Sequence, residues 1–351
     1  MNAERLLALY DRVAGAPDAV SRLRRFVLNL AVRGKLVEQD AADEPVSGLL
    51  KRIAAAKGTL KRKTGDSRIR SAADPVREDY PGPVPNTWTV QSFENLFLFI
   101  DYRGRTPPKT DGGIPLITAK NIRFGSLNRE PPEFISEKTY KTWMTRGFPR
   151  IGDLFFTTEA PLANVCLNDI REPFALAQRV ICLQPYDEIN TSYFMFAIMS
   201  DVVQTLIGEH STGLTAKGIK AAKLKPLPIP LPPLAEQHRI VAKVNELMAL
   251  CDELEGSRKE REDTRDRLTK ASFSRLTAPD IDDETFRAHA GLAVNALSAL
   301  TARAEQIKQL RQTILNLAVR GKLVKQDPAD EPASELLNRI AAEKTRLVKA
   351  R

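Results

Sequence analysis

The chain has 351 residues, with 53 Lys and Arg against 44 Asp and Glu for a net charge of +9. Since a typical domain holds about 100–200 residues, two or more compact units are expected. Hydrophobic residues at 42% and charged residues at 28% exclude a wholly disordered or collagen-like chain, and the basic excess favours an anionic partner. The three cysteines, Cys166, Cys182 and Cys251, have no CxxC spacing, which excludes a disulfide framework and a cysteine zinc cluster and suggests a reducing cytoplasm.

The first residues, Met1 to Gly15, are charged from Glu4 and Arg5 and hold no apolar run long enough for export. Nowhere do 18 apolar residues run together, so a cytoplasmic location is expected. Leu23 to Leu60 then aligns without gaps on Leu310 to Leu347, at a constant offset of 287, with 27 of 38 positions identical. Solenoid repeats recur about every 20–50 residues, whereas these copies are a whole domain apart. They predict two equivalent helical ends around a different middle. Residues 1–79 read as an N-terminal helical segment with a basic linker from Lys57 to Asp79, closed by Pro81, Pro83 and Pro85.

Residues 80–232 carry strand signals at Ile114 to Thr118, Leu154 to Thr158 and Phe174 to Leu183, separated by Gly-Gly, Gly-Asp and Asn-Asp turns, and a helix over Thr191 to Ile207. This is a mixed α/β domain, ended by the proline run Leu227 to Pro233. Over 233–278 the period changes: Ile240, Val244, Leu247, Cys251 and Leu254 step by four and three, a heptad seam. Pro279 and an acidic turn lead into 279–351, where Leu297, Leu300, Ala304, Ile307, Leu310, Ile314 and Leu317 repeat the pattern. The fold class expected is α+β, one mixed domain joined to long antiparallel coiled-coil helices. An unbroken Leu234 to Leu276 would span roughly 65 Å, about 19 base steps of duplex.

Signatures of catalysis are missing: no GxxxxGK[ST], no GxGxxG and no Asn-Pro-Pro-aromatic string occurs. His210, His238 and His289 are scattered without an i, i+4 partner, so no metal site is expected. Asp280, Asp282, Asp283 and Glu284 could hold a divalent ion, but between two helices they read as cap and turn. Ser211-Thr212-Gly213 has no base spaced to activate it.

Other features suit nucleic acid. Lys217, Lys220, Lys223 and Lys225 fall in a stretch, Ser211 to Ala235, without an acid, where phosphate contact and a solvated turn are both open. DYRGRTPPK, Asp101 to Lys109, sets Arg103 and Arg105 around a glycine. Arginine can grip guanine bidentately, although a structural turn explains the string too. Lys120, Asn121 and Arg123 follow an apolar strand, and Asn can satisfy adenine. Thr157, Thr158 and Glu159 end a strand beside Pro161, while Gln178 and Arg179 interrupt apolar residues and could equally be outward-facing strand positions.

Together, GGIPLITAKNI, RIGDLFFTTEAPLANV, ALAQRVICLQP, STGLTAKGIKAAKLKPLPIPLPPLAEQHRIVAKVNELMALCDELE and the twice-used LNLAVRGKLV resemble the specificity subunit of type I restriction–modification systems. The resemblance implies a non-catalytic subunit whose target-recognition domain reads half of a bipartite double-stranded DNA target. It also implies methyltransferase subunits on the conserved helices and restriction/translocase subunits beyond them. S-adenosylmethionine, ATP and Mg would belong to those partners, with no cofactor or metal in this chain. The DNA-binding candidates are then Arg103, Arg105, Thr106, Lys109, Lys120, Asn121, Arg123, Thr158, Gln178, Arg179, Thr212, Thr215, Lys217 and Lys220. The interface candidates are Ile240, Val244, Leu247, Cys251, Leu254, Leu300, Ile307, Leu310 and Ile314. The family's usual subunit carries two recognition domains and this chain one. A half-length form would pair two copies through Ile240 to Leu254 and Leu297 to Leu317 and read an interrupted palindrome. The competing class is a coiled-coil protein-interaction scaffold without sequence-specific DNA binding.

Overall fold

Two helices open the fold of the computed structural model, which describes residues 16, 18–67, 69–70, 73–102, 106–213, 217–279, 281–325 and 327–349. They are α1 (Ala19–Ala31) and α2 (Val46–Thr64), the N-terminal copy of the repeat. Each is amphipathic, and their apolar stripes (Val27, Leu28 and Ala31, then Val46, Leu49 and Ile53) enter one core with Trp88, Phe97 and Tyr193. The segment 1–79 is therefore no separate module from 80–232. The chain divides instead at Glu253/Leu254, inside its longest helix. Lys57, read as the start of a linker, lies within α2 and is buried; its Nζ donates to the Glu94 carbonyl at 2.8 Å and Asn95 Oδ1 at 3.0 Å. The α2 helix ends at Gly65, whose left-handed φ of 61° a side chain would resist.

The first unit then runs β1 (Thr89–Ser92), α3 (Phe93–Leu96), β2 (Phe97–Asp101), β3 (Ile114–Ile117), β4 (Phe134–Ile135), α4 (Glu137–Trp143), β5 (Leu154–Thr157), β6 (Val165–Leu167), β7 (Ala175–Leu176), β8 (Val180–Pro185), α5 (Thr191–Met199), α6 (Asp201–Glu209), α7 (Ala221–Leu224) and β9 (Pro228–Leu231). An antiparallel sheet of order β2-β8-β5-β6 is covered on both faces, which is why its strands are nearly all apolar. Alternate residues part accordingly. Leu154, Phe156, Ile181 and Leu183 join the core shared with α1 and α5, while Phe155, Val180 and Cys182 join a second core with the small sheet β4-β3-β7. The helix expected over Thr191 to Ile207 is two: Ser200 breaks it, donating to the Ala197 carbonyl and capping α6 at Val203 N. The proline run is not a boundary either. Pro228 to Leu231 is a fully buried strand on β1, a two-stranded ladder in which prolines lose few donors.

The helix α8 (Leu234–Leu276) follows. Its seam does not meet Leu297 to Leu317 as the heptad spacing predicts: Ile240 and Val244 are fully buried in the first unit's core, with Leu247 packed on it. Arg239 clamps Asp43 through two bonds of 2.8 and 2.6 Å, and Arg24 meets Asp252 at 2.5 Å. Cys251 is buried, but Leu254 is exposed.

In the second unit α9 (Asp283–Asn295), α10 (Leu297–Leu300), α11 (Ala304–Val319) and α12 (Ala333–Lys349) follow the end of α8. Phe273, Leu276, Ala293, Leu300 and Leu317 form their core. The α11 helix runs alongside α8 in the same direction, Arg303 reaching Glu262 and Asp266 while Arg320 reaches the Thr277 carbonyl. The expected antiparallel pairing of those two helices is therefore a parallel one, because α9 makes the return. Its register also differs. Gln306, Thr313 and Leu317 are buried with Leu310 beside them, and Ile307 and Ile314 are turned outward. Asp282 accepts from Thr285 N at 2.8 Å, which holds its carboxyl below the usual range, and Asp283 pairs with Lys322. The acidic turn is a cap, and among the described residues no cluster could hold a metal.

The two copies of the repeat differ sharply in burial. Leu28, Val32, Leu49 and Ile53 are at most 3% exposed, whereas their equivalents Leu315, Val319, Leu336 and Ile340 are at least 49% exposed. The α12 helix buries nothing. No described helix is long and apolar enough to cross a membrane.

Candidate nucleic-acid interface

Strand register brings several loops to one edge. Thr157 pairs with Val180, and Asp101 with Ile181, so the loops after β2, after β5 and before β8 leave the sheet side by side. Main-chain bonds knit in two more. Ala177 N donates to the Ile117 carbonyl at 2.9 Å, tying in the turn after β3, and Ile219 N donates to the Thr158 carbonyl at 2.9 Å, tying in 211–220. Thr212 and Gly218 close that last loop with two bonds of 2.9 Å. Behind this edge Tyr102 stacks on Trp143, whose Nε1 donates to the Leu176 carbonyl at 2.9 Å.

Thr106, Gln178, Arg179, Thr212, Lys217 and Lys220 come together on the knitted loops, all at least partly exposed. Gln178 Nε2 donates to Thr106 Oγ1 at 2.8 Å, and Arg179 Nε meets Glu159 Oε1 at 2.6 Å. Lys109 and Lys120 flank them and share Glu133, at 2.8 and 4.0 Å. Arg123 is exposed on the turn after β3, which Asn164 Nδ2 fastens to the β5–β6 hairpin through the Ile122 carbonyl. The edge is cationic, and Glu133 and Glu159 already hold cations there. Arg103, Arg105 and Thr215 lie outside the described residues.

Two candidates are corrected. Asn121 is 2% exposed; its Oδ1 accepts from Thr118 N and Oγ1 at 2.9 Å each, and its Nδ2 donates to the Asn128 carbonyl at 3.0 Å. An amide so bonded and buried folds the turn and is out of a base's reach. Thr158 is likewise buried, its hydroxyl bonded to the Arg179 carbonyl. Glu159, just beyond the end of β5, is not among the expected DNA contacts, since a carboxylate repels phosphate. Phe124, next to Arg123, is exposed, and an aromatic ring there could stack on a base. The cysteines offer no nucleophile, for all three are buried and burial pushes the Cys166 thiol up to about 12.

Exposed loops carried on a sheet scaffold are where proteins place their functional groups, and here those groups are amides, hydroxyls and cations. The chain belongs to the type I restriction–modification DNA specificity family, whose domain model matches residues 85–262. Similar curated proteins are the type I restriction enzyme EcoAI and EcoEI specificity subunits of Escherichia coli. They are 33% identical over 338 residues and 31% identical over 335, in each case 94% of this chain and 56% of the relative. The chain thus spans about half the length of these relatives. Among solved structures, the HsdS subunit from Thermoanaerobacter tengcongensis aligns at 17% identity and a TM-score of 0.37, over 84% of this chain and 57% of that one.

Proposed function

We propose that this chain reads one part of a bipartite double-stranded DNA target for a type I restriction–modification complex and catalyses nothing itself. The convergence of Thr106, Gln178, Arg179, Lys217 and Lys220 on one knitted edge is the observation that carries this reading. Amides and the arginine fork suit base edges, and the lysines suit phosphates. Methyltransferase and restriction/translocase subunits are the protein partners, and they bring S-adenosylmethionine, ATP and Mg. Such work belongs in the cytoplasm, which suits three free thiols.

The second half of the target calls for a second recognition domain. Ile240 and Val244 are already buried within one chain and so are closed to a second copy. The open apolar face of the C-terminal repeat takes their place as the seat, because its N-terminal twin seats the recognition domain of this chain.

Titration of the purified chain with matched and scrambled duplexes at several salt concentrations tests the assignment. A preference for particular sequences is expected, together with a linear fall of log affinity with log salt. Lys217→Ala or Lys220→Ala should weaken binding to all sequences alike and lower the salt slope by about 0.9 for each phosphate no longer neutralised. Binding without sequence preference would favour the scaffold reading.

A further inference from the structure

Glu159 is one of the carboxylates on this cationic edge, and its geometry gives it a use. It meets Arg179 at Nε, the inner nitrogen, at 2.6 Å, and the two side chains are 40% and 51% exposed. Among the described residues no carboxylate meets the two terminal amino groups of Arg179, so the outer edge of the guanidinium stays open toward solvent. That is the fork able to donate two parallel bonds to O6 and N7 of guanine.

The main chain fixes both partners. Thr158 N donates to the Arg179 carbonyl at 3.0 Å, and Glu159 bridges Gly218. Thr157 Oγ1 pins the hairpin tip by donating to the Pro161 carbonyl at 2.6 Å and accepting from Asn164 N at 2.9 Å. Ala160, next to Glu159, is held in the left-handed region at φ 47°, a conformation that a side chain adopts only when its surroundings impose it. A long arginine that must find one base loses rotamer freedom on binding, and a carboxylate paired with Nε removes part of that freedom beforehand.

We propose that Glu159 is a specificity-determining positioning residue that presents the Arg179 fork to a single guanine of the target. This rests on the sequence-reading function proposed above. The test selects bound duplexes from a randomised pool with the full chain and its Glu159→Gln, Glu159→Asp, Arg179→Ala and double Glu159→Gln/Arg179→Ala variants, with melting curves to check folding. The wild-type chain should prefer guanine at one position, and Arg179→Ala should abolish that preference. Glu159→Gln should weaken it about tenfold at that position alone, the scale of discrimination that a bidentate grip supplies, and Glu159→Asp should keep part of it. The double variant should match Arg179→Ala. If Glu159→Gln keeps its guanine preference, or tightens every duplex equally as a mere loss of negative charge, the inference falls. If Arg179→Ala abolishes no guanine preference while others persist, the inference falls and the recognition function stands. A wild-type chain without any preference would sink both.

Discussion

Asn121 and Glu236 show how the bonding of one side chain sets what it can do. With Asn121 replaced by Ala, Thr118 N and the Asn128 carbonyl lose their buried partner. The cost should be about 1–3 kcal/mol, read by urea denaturation, with affinity reduced equally for all duplexes; loss at one base position alone would restore Asn121 as a reader. Glu236, in the first turn of α8, is 1% exposed with neither carboxylate oxygen hydrogen-bonded. Burial raises its pKa above the ordinary 4.5, and the charge of Arg239 offsets this in part. The native state therefore holds that proton to higher pH than the unfolded chain does. Stability falls as pH climbs from the ordinary value through the raised one, and the charged form is penalised above both. Glu236→Gln should raise the melting temperature at pH 7 and match wild type well below pH 4.5, which a pair of pH-dependent melting series would check.

At the scale of elements, period was legible and partner was not. Four-three spacing marked α8 from Ile240 to Cys251, and alternation placed β5 and β8, since both follow from which faces are apolar. Nothing in the heptad of α8 says that Ile240 and Val244 pack on the N-terminal helices and the recognition core instead of on α11. In α11 the polar Gln306 and Thr313 took the buried stripe, Gln306 through Asp266 at 3.0 Å and Thr313 through the Gln309 carbonyl at 2.9 Å, and so displaced the register that Ile307 and Ile314 suggest. The strand Pro228 to Leu231 hid behind its prolines, which carry a turn signal unless an edge position excuses them. Of the candidate site, Gln178, Arg179 and the lysines stand out by residue type; the burial of Asn121 does not, because burial is a property of the turn. Leu247→Asp should then loosen the first unit: hydrogen exchange should rise in α1 and in α8 up to Glu253, with α9 to α11 unaffected. Faster exchange confined to α11 would instead support the helix pair read from the heptads.

For the whole molecule, the repeat provides an internal control. Both copies fold alike: Arg52 meets Glu44 at 2.5 Å, and the equivalent Arg339 meets Glu331 at 2.6 Å. At the identical positions the surroundings differ. Asn29 exchanges bonds of 2.8 and 3.0 Å with Asp201 on α6, whereas its equivalent Asn316 bonds Gln312 on its own helix. Identical side chains should therefore carry unequal free energies in the isolated chain. Leu28→Ala should cost about 2–5 kcal/mol by loss of buried volume, while Leu315→Ala, at 60% exposure, should stay within about 0.5 kcal/mol. Seating of a second recognition domain would bury Leu315 and erase that difference. Light scattering over a concentration series should accordingly show self-association that Leu315→Asp with Ile340→Asp abolishes, without lowering the melting temperature of the monomer. A chain that stays monomeric at every concentration would rule out a second copy as the occupant of that face.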